Sequence, residues 1–191
     1  MSQLPTLETK RLLLRPFAMA DAKDVQRLAG DRAIADTTLN LPHPYGDGMA
    51  EEWISKHRET FDEEKGVTLA ITRKSDGVLL GAISLMGISK GHQAELGYWV
   101  GKPYWNQGYC TEAASAVLRY GFSVLGLIRI HASFFTRNPA SGRVMQKLAM
   151  RHEGCRRQHV MKWGKHEDLE LYGILKHEWE EIVEAEVGRN L

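Results

Sequence analysis

A strand, a glycine-bearing loop and a helix start follow one another in the segment Ala94–Ala113, an order that could bind an anion. The run Glu95–Val100 is strand-like, Gly108 lies in the loop, and a helical pattern opens at Thr111. N–H groups in the first turn of a helix have no intrahelical acceptor and carry the positive end of the helix dipole. With a glycine that permits close backbone approach, they favour a phosphate group. The simpler alternative is an ordinary loop in which Gly108 only supplies a positive φ.

The elements that position this segment belong to a mixed α/β chain, in which adjacent hairpins replace a strict alternation of strands and helices. About seven strands are predicted, at Arg11–Arg15, Val67–Arg73, Val78–Ser89, Glu95–Val100, Leu127–Phe135, Gln158–Trp163 and Leu169–Leu175. Four or five helices are predicted, after an Asp21 cap, over Gly48–Phe61, from Thr111 to a stop at Gly126, from Pro139 behind an Asn138 cap, and in the polar tail.

Composition limits the classes of function. The 191 residues are 43% apolar and fit one domain, 1–191, with a core of useful size. Lys+Arg (25) and Asp+Glu (24) nearly cancel, which argues against a protein that grips nucleic acid by charge. No apolar run approaches the ~20 residues of a membrane span, and no secretory signal is evident. The cysteines, Cys110 and Cys155, are expected to be free thiols in the cytoplasm, and no metal-ligand spacing occurs.

Several short motifs occur in a fixed order along nearly the whole chain. They are Leu7–Phe17, Leu41–Tyr45, Leu96–Val100, Asn106–Ala113, Asn138–Ser141 and Tyr172–Leu175. In this order they resemble the GNAT superfamily of acetyl-CoA-dependent N-acetyltransferases, and within it the branch of bacterial ribosomal-protein N-terminal acetyltransferases. The resemblance implies a central mixed, mostly antiparallel sheet flanked by helices. It also implies acetyl-CoA as co-substrate, with no metal, and a homodimer as one option.

The resemblance implies that the coenzyme pyrophosphate lies on the backbone N–H groups of about Gln107–Glu112. Of the six motif positions Trp105–Cys110, only the central Gly108 fits the strict superfamily pattern. The edge of Glu95–Val100 is expected to pair with the pantetheine arm, and a bulge near Gly97 to present an oxyanion donor. The expected coenzyme-binding residues are Tyr98, Trp99, Val100, Asn106, Gln107, Gly108, Tyr109, Cys110, Thr111, Glu112, Asn138 and Arg143.

Two residues are predicted to move protons. A protein α-amine has a pKa near ~8, against ~10.4 for lysine, so it needs only a modest base. Glu95 is the candidate base, with a solvated or ion-paired strand-end glutamate as the equal alternative. Many superfamily members protonate the leaving thiolate with a tyrosine, but that position is Met145 here. The resemblance to this branch makes Ser141, three residues after Asn138, the candidate acid, with helix capping as its structural alternative.

The acceptor pocket is expected to be walled by an aromatic and proline-rich segment. Its predicted residues are Leu41, Pro42, Tyr45 and Trp53, although Trp53 could equally be core. The preferred acceptor is a protein N-terminal α-amine, conceivably ribosomal. A small amine (polyamine, amino acid or aminoglycoside) and a non-catalytic acetyl-CoA sensor remain as alternatives. A polyamine would require several carboxylates, for which Asp36, Asp47 and Glu51–Glu52 are available.

Overall fold

The computed structural model describes residues 3–188, which form one eight-stranded sheet with helices on both faces. The strands are β1 (Leu7–Glu8), β2 (Leu12–Arg15), β3 (Gly66–Arg73), β4 (Leu79–Ser89), β5 (Gln93–Val100), β6 (Arg129–Phe135), β7 (Arg151–Lys162) and β8 (Lys165–Leu175). The helices are α1 (Ala22–Ala29), α2 (Arg32–Thr37), α3 (Met49–Asp62), α4 (Tyr109–Ser123), α5 (Pro139–Lys147) and α6 (Lys176–Gly188). The spatial order of the strands is β1-β2-β3-β4-β5-β6-β8-β7.

The predicted mixed, mostly antiparallel sheet is confirmed, with one strand more than expected. The additional strand, β1, has two residues and is too short to produce a periodic pattern. Helix α2 was not predicted either; Asp31 caps it by accepting a hydrogen bond from the Ala33 N–H at 2.8 Å. Helix α4 begins at Tyr109, two residues before the predicted start.

Two hydrophobic cores lie on opposite faces of the sheet. The larger core joins the sheet to α4, α5 and α6 and includes Leu96, Val117 and Phe122. The smaller one joins it to α1, α2 and α3 and includes Trp99. Because side chains alternate across a strand, neighbouring residues of β5 reach different cores. Strand β5 thus presents one set of side chains to each face.

The sheet opens between β5 and β6. All other neighbours pair antiparallel, whereas β5 and β6 run parallel and pair only from Gln93–Arg129 to Glu95–His131. Parallel neighbours need a crossover, and α4 supplies it. Beyond Glu95 the two strands no longer pair, so a cleft opens between their facing edges.

The bulge expected in β5 lies instead in β4. Residues Glu95–Val100 pair with Gly81–Met86 without a break, and the register shifts only between Met86 and Ser89. Gly87, inside the shift, has a φ of +58°, which favours glycine. The expectation of a bulge near Gly97 is therefore wrong.

Candidate active site

The predicted anion turn has unpaired amides, over a shorter range than expected. Gly108 has a φ of +78° and immediately precedes α4. The first intrahelical bond runs from the Glu112 N–H to the Gly108 carbonyl at 3.1 Å. That bond leaves the N–H groups of Tyr109, Cys110 and Thr111 without an intrahelical acceptor. The amide of Glu112, predicted as part of the phosphate site, is already used by the helix.

The Glu112 side chain points to the β1–β2 turn. Its carboxylate accepts hydrogen bonds from Thr9 Oγ1 (2.6 Å), the Arg11 N–H (2.8 Å) and Arg11 Nε (2.6 Å). Burial raises the pKa of Glu112, but these hydrogen bonds outweigh burial and hold that pKa below its ordinary value. Glu112 therefore anchors the turn, and its carboxylate is not directed at a bound phosphate.

Arg11 completes this anchor and has no counterpart among the sequence predictions. Its guanidinium donates to the Gln107 carbonyl at 2.9 Å and lies 4.6 Å from the centre of the Tyr109 ring. Arg11 thus contacts the residues on both sides of Gly108. The sequence signal was Glu112 itself, because a carboxylate beside a phosphate site repels the phosphate unless a cation pairs with it.

A groove of about 420 Å³ continues from the turn between α4, the end of α5 and α6. Its lining includes Gly108 and Thr111 and two cationic side chains, Arg119 and Lys147. Arg143, the predicted phosphate contact, is exposed on α5 and does not line the groove. Lys147, one turn further along α5, is the better-placed cation.

The edge of β5 that faces the cleft carries the amides of Tyr98 and Val100. The Gly101 N–H donates to the Leu80 carbonyl at 2.8 Å, which fixes the odd-numbered residues as those bonded to β4. Tyr98 and Val100 therefore point their N–H groups towards the cleft. Trp99, also predicted to bind coenzyme, turns its backbone to β4 and buries its ring in the smaller core, 9% exposed.

A hydroxyl pair lies where β5 meets α5. Tyr98 Oη is 2.8 Å from Ser141 Oγ and donates to the Ser141 carbonyl at 3.2 Å. Burial raises the pKa of Tyr98, so its phenol stays protonated at neutral pH. Met145 is 1% exposed and packs in the larger core. The sequence separated Tyr98 and Ser141 by 43 positions and gave no sign of this contact.

The remaining coenzyme-side predictions lie just before α5, in the first turn of α4 and in the loop before α4. Asn138 precedes α5 without a side-chain capping bond, so its amide is not committed to the helix. Burial raises the pKa of the Cys110 thiol to about 12, which leaves it protonated. Asn106 is exposed with a φ of +59°, and Gln107 Nε2 donates to the Pro103 carbonyl at 3.1 Å.

Glu95 lies at the point where the sheet opens. One of its carboxylate oxygens accepts a hydrogen bond from Ser133 Oγ at 3.2 Å, across the gap to β6. His131 is its register partner, and burial chiefly lowers the pKa of that imidazole despite the nearby Glu95 charge. Alternation places Glu95 and Trp99 on the face opposite Tyr98. Glu95 therefore approaches the cleft from the α1–α3 side.

The predicted acceptor residues lie on that same side. Leu41, Tyr45 and Trp53 are half-buried against the smaller core, and Pro42 is exposed. The Trp53 ring packs against Phe17 at 5.1 Å and against His57 at 4.4 Å between centroids. This packing gives Trp53 a structural role, so Leu41, Pro42 and Tyr45 are the better candidates for the wall.

Within residues 3–188, no group of three or more His, Cys, Asp or Glu side chains could hold a metal ion. None of the helices in this range is both long enough and apolar enough to cross a membrane.

The anion turn, the open strand edge and the half-buried hydroxyl pair lie around one opening in the sheet. The family model for the acetyltransferase (GNAT) domain matches residues 11–151. YoaA of Bacillus subtilis, an N-acetyltransferase, is 32% identical over 173 residues, 90% of this chain and 97% of its own. The chain therefore belongs to the GNAT family and is an acetyl-CoA-dependent N-acetyltransferase.

Two other similar proteins act on ribosomal proteins. The alanine N-acetyltransferase of ribosomal protein uS5 from Escherichia coli is 25% identical over 103 residues, 53% of each chain. The structure of RimL, the alpha-N-protein acetyltransferase of ribosomal L7/L12, in complex with coenzyme A has a TM-score of 0.82. It is 15% identical and covers 90% of this chain and 98% of its own, so the likeness shows the fold alone.

Proposed function

We propose that the chain acetylates a protein N-terminal α-amine by direct attack on acetyl-CoA bound in the cleft between β5 and β6. The observation that carries the proposal is the convergence on one cleft of free helix amides, a free strand edge and a carboxylate on the opposite face. Such an arrangement can hold a diphosphate and an amide-bearing arm while leaving room for an amine.

The coenzyme side of the cleft offers one group of contacts for each part of acetyl-CoA: the diphosphate, the pantetheine arm and the sulfur. The amides of Tyr109, Cys110 and Thr111 would receive the diphosphate, with Lys147 and Arg119 near the remaining phosphate. The pantetheine amides would pair with the cleft-facing backbone of β5, as an added strand does. This arrangement would bring the sulfur to the region of the Tyr98–Ser141 pair.

On the other face, Glu95 would take the proton from the attacking amine. An α-amine is partly neutral at pH 7, so a carboxylate acting directly or through one water is sufficient. The departing sulfur would be hydrogen-bonded or protonated by Ser141, whose hydroxyl is held by Tyr98. Tyr98 remains a neutral donor because its pKa is raised by burial.

Three of the four carboxylates named for a polyamine have partners within the fold. Asp36 pairs with Arg137 at 2.9 Å, Asp47 accepts from Gln26 at 2.8 Å, and Glu52 pairs with Lys56 at 2.6 Å. The cations Arg137 and Lys56 reduce the negative potential available to a polycation, and the Glu51 charge acts on the Tyr45 phenol. The similarity to ribosomal-protein acetyltransferases also supports an α-amine, and the Tyr98–Ser141 pair supports an enzyme over a sensor.

The proposal is tested by thiol release from acetyl-CoA over a panel of amines. The panel contains peptides with a free N-terminus, the same peptides N-terminally blocked but carrying lysine, spermidine and an aminoglycoside. We expect release only with the free N-terminus, and mass spectrometry should place one acetyl group there. Turnover confined to spermidine or the aminoglycoside would contradict an α-amine acceptor, and no turnover at all would favour a sensor.

Removing either hydroxyl of the pair should slow turnover without weakening coenzyme binding. We expect Ser141→Ala to lower kcat roughly 10²-fold, the lower end for a lost proton donor, and Tyr98→Phe to lower it less. The double variant should be no slower than Ser141→Ala, because both changes remove one shared hydrogen bond. Steady-state kinetics and calorimetry with acetyl-CoA measure these effects. Ser123→Ala, at the exposed end of α4, is the control, and an unchanged kcat in Ser141→Ala would exclude the role.

A further inference from the structure

Lys162 is a buried cation that the proposed chemistry does not use. It ends β7, is 6% exposed, and is one of the few buried polar residues in the described chain. Its ammonium donates to the carbonyls of Leu39 and Leu41, at 3.1 and 3.0 Å. A buried ammonium requires such acceptors, since it has lost most of its water. Lys162 is therefore bound to the backbone of the segment that precedes α3.

Arg137 makes a second connection close by. Its guanidinium donates to the carbonyl of Asp36 at 2.7 Å and pairs with the Asp36 carboxylate at 2.9 Å. On its other side it pairs with Glu167 of β8 at 2.9 Å. Arg137 thus ties the end of α2 to the β7–β8 hairpin, next to the carbonyls that Lys162 holds.

The turn of the hairpin adds a third contact. The Trp163 ring centre lies 5.0 Å from the Lys162 ammonium, 5.7 Å from the Arg32 guanidinium and 6.1 Å from the His43 ring. The hairpin therefore meets the chain on both sides of Leu41 with one aromatic ring, that of Trp163, and one cation, Lys162.

These contacts join two parts of the molecule that the sheet leaves apart. The donors follow β6 in the sequence. The carbonyls belong to the end of α2 and to the segment between α2 and α3, which packs on the smaller core beneath β4 and β5. Strands β5 and β6 stop pairing after Glu95 and His131. The hydrogen bonds of Lys162 and Arg137 thus connect the two sides of the opening.

We propose that Lys162 and Arg137 form a latch that holds the segment Leu39–Tyr45 against the β7–β8 hairpin and so positions the acceptor wall. The inference rests on the proposed function for the role of Leu41, Pro42 and Tyr45. Both are positioning residues: they bind backbone carbonyls and the Asp36 carboxylate, and neither touches the reacting atoms. Releasing them would loosen the wall while leaving the anion turn at Gly108 intact.

The test uses Lys162→Met, which keeps a long unbranched side chain and removes its donors, and Arg137→Leu. Lys165→Met, an exposed lysine at the same hairpin turn, is the matched control, and Arg137→Lys is the conservative variant. We expect amide hydrogen exchange over residues 38–47 to become about tenfold faster in the first two variants. The control should exchange as the wild type does, and Arg137→Lys should restore part of the protection.

The kinetic measurements should distinguish an effect on peptide binding from an effect on acetyl-CoA binding. We expect the KM for the best peptide of the panel to rise about tenfold, while kcat and the calorimetric Kd for acetyl-CoA stay within about twofold. Unchanged exchange over residues 38–47 in both Lys162→Met and Arg137→Leu overturns the latch. Faster exchange with an unchanged peptide KM overturns its positioning role. A wild type that acetylates no amine contradicts the proposed function instead, and the exchange result still decides the latch.

Discussion

Gly108→Trp should lose at least about 100-fold in affinity for acetyl-CoA while remaining folded. The indole would lie over the free amides of Tyr109–Thr111 and fill the mouth of the groove that Gly108 lines. A Cβ at this position would already be 3.4 Å from the Arg11 guanidinium. A 100-fold loss corresponds to about 2.8 kcal/mol, the scale of several charge-assisted hydrogen bonds to a diphosphate. Isothermal calorimetry measures the affinity directly.

The control must carry the same backbone strain away from the site. Gly77, in the turn between β3 and β4, has a φ of +72°, against +78° for Gly108, and a Cβ added there would meet no atom within 4 Å. Gly77→Trp should therefore lower the thermal midpoint by a similar amount but keep wild-type affinity. Wild-type affinity in Gly108→Trp would place the coenzyme elsewhere and remove the basis of the mechanism.

Glu95→Gln should lower kcat/KM for a peptide acceptor by roughly 10²–10⁴-fold, the range for a general base. The amide oxygen can still accept the Ser133 hydrogen bond, so the strand should keep its place. The loss should persist across the range from pH 5 to 9, and rates measured over that range at saturating acetyl-CoA show it.

Glu170→Gln serves as the control, because Glu170 is a half-buried glutamate on β8 whose partners, Thr136 and His152, lie outside the proposed machinery. It should keep both the rate and the pH profile. If Glu95→Gln also keeps them, Glu95 is a structural strand-end residue, and the neutral His131 beside it becomes the next candidate base.

The features of the fold that repeat along the chain could be predicted from the sequence. The apolar runs on either side of the turn at Gly77 and the apolar positions of α4 placed β3, β4 and α4 to within a few residues. Strand β1 and helix α2 were missed because both are short and are held by tertiary contacts, such as the pairing of Leu7 with Leu14. A two-residue strand has no period for the sequence to display.

The part of the candidate site that lies within one segment of the sequence could be predicted, whereas the parts formed by residues far apart in the sequence could not. The anion turn is one contiguous segment, so the order of strand, glycine and helix start, together with the family resemblance, could indicate Gly108 and the amides after it. The anchor of Glu112 by Arg11, the contact of Tyr98 with Ser141 and the latch of Lys162 each join positions far apart in the chain. No pattern within a single segment reports such contacts, because folding alone brings the partners together.

The unpaired edge of β5 has a consequence for the stability of the protein as well as for its activity. Buried N–H and C=O groups normally find partners, and here those of Tyr98 face a gap in the sheet. A co-substrate that fills this gap acts as a missing strand, and any ligand of the folded form alone adds about 2.7 kcal/mol of stability at 100 times its Kd. Resistance of the enzyme to heat and proteolysis would then rise and fall with the concentration of acetyl-CoA.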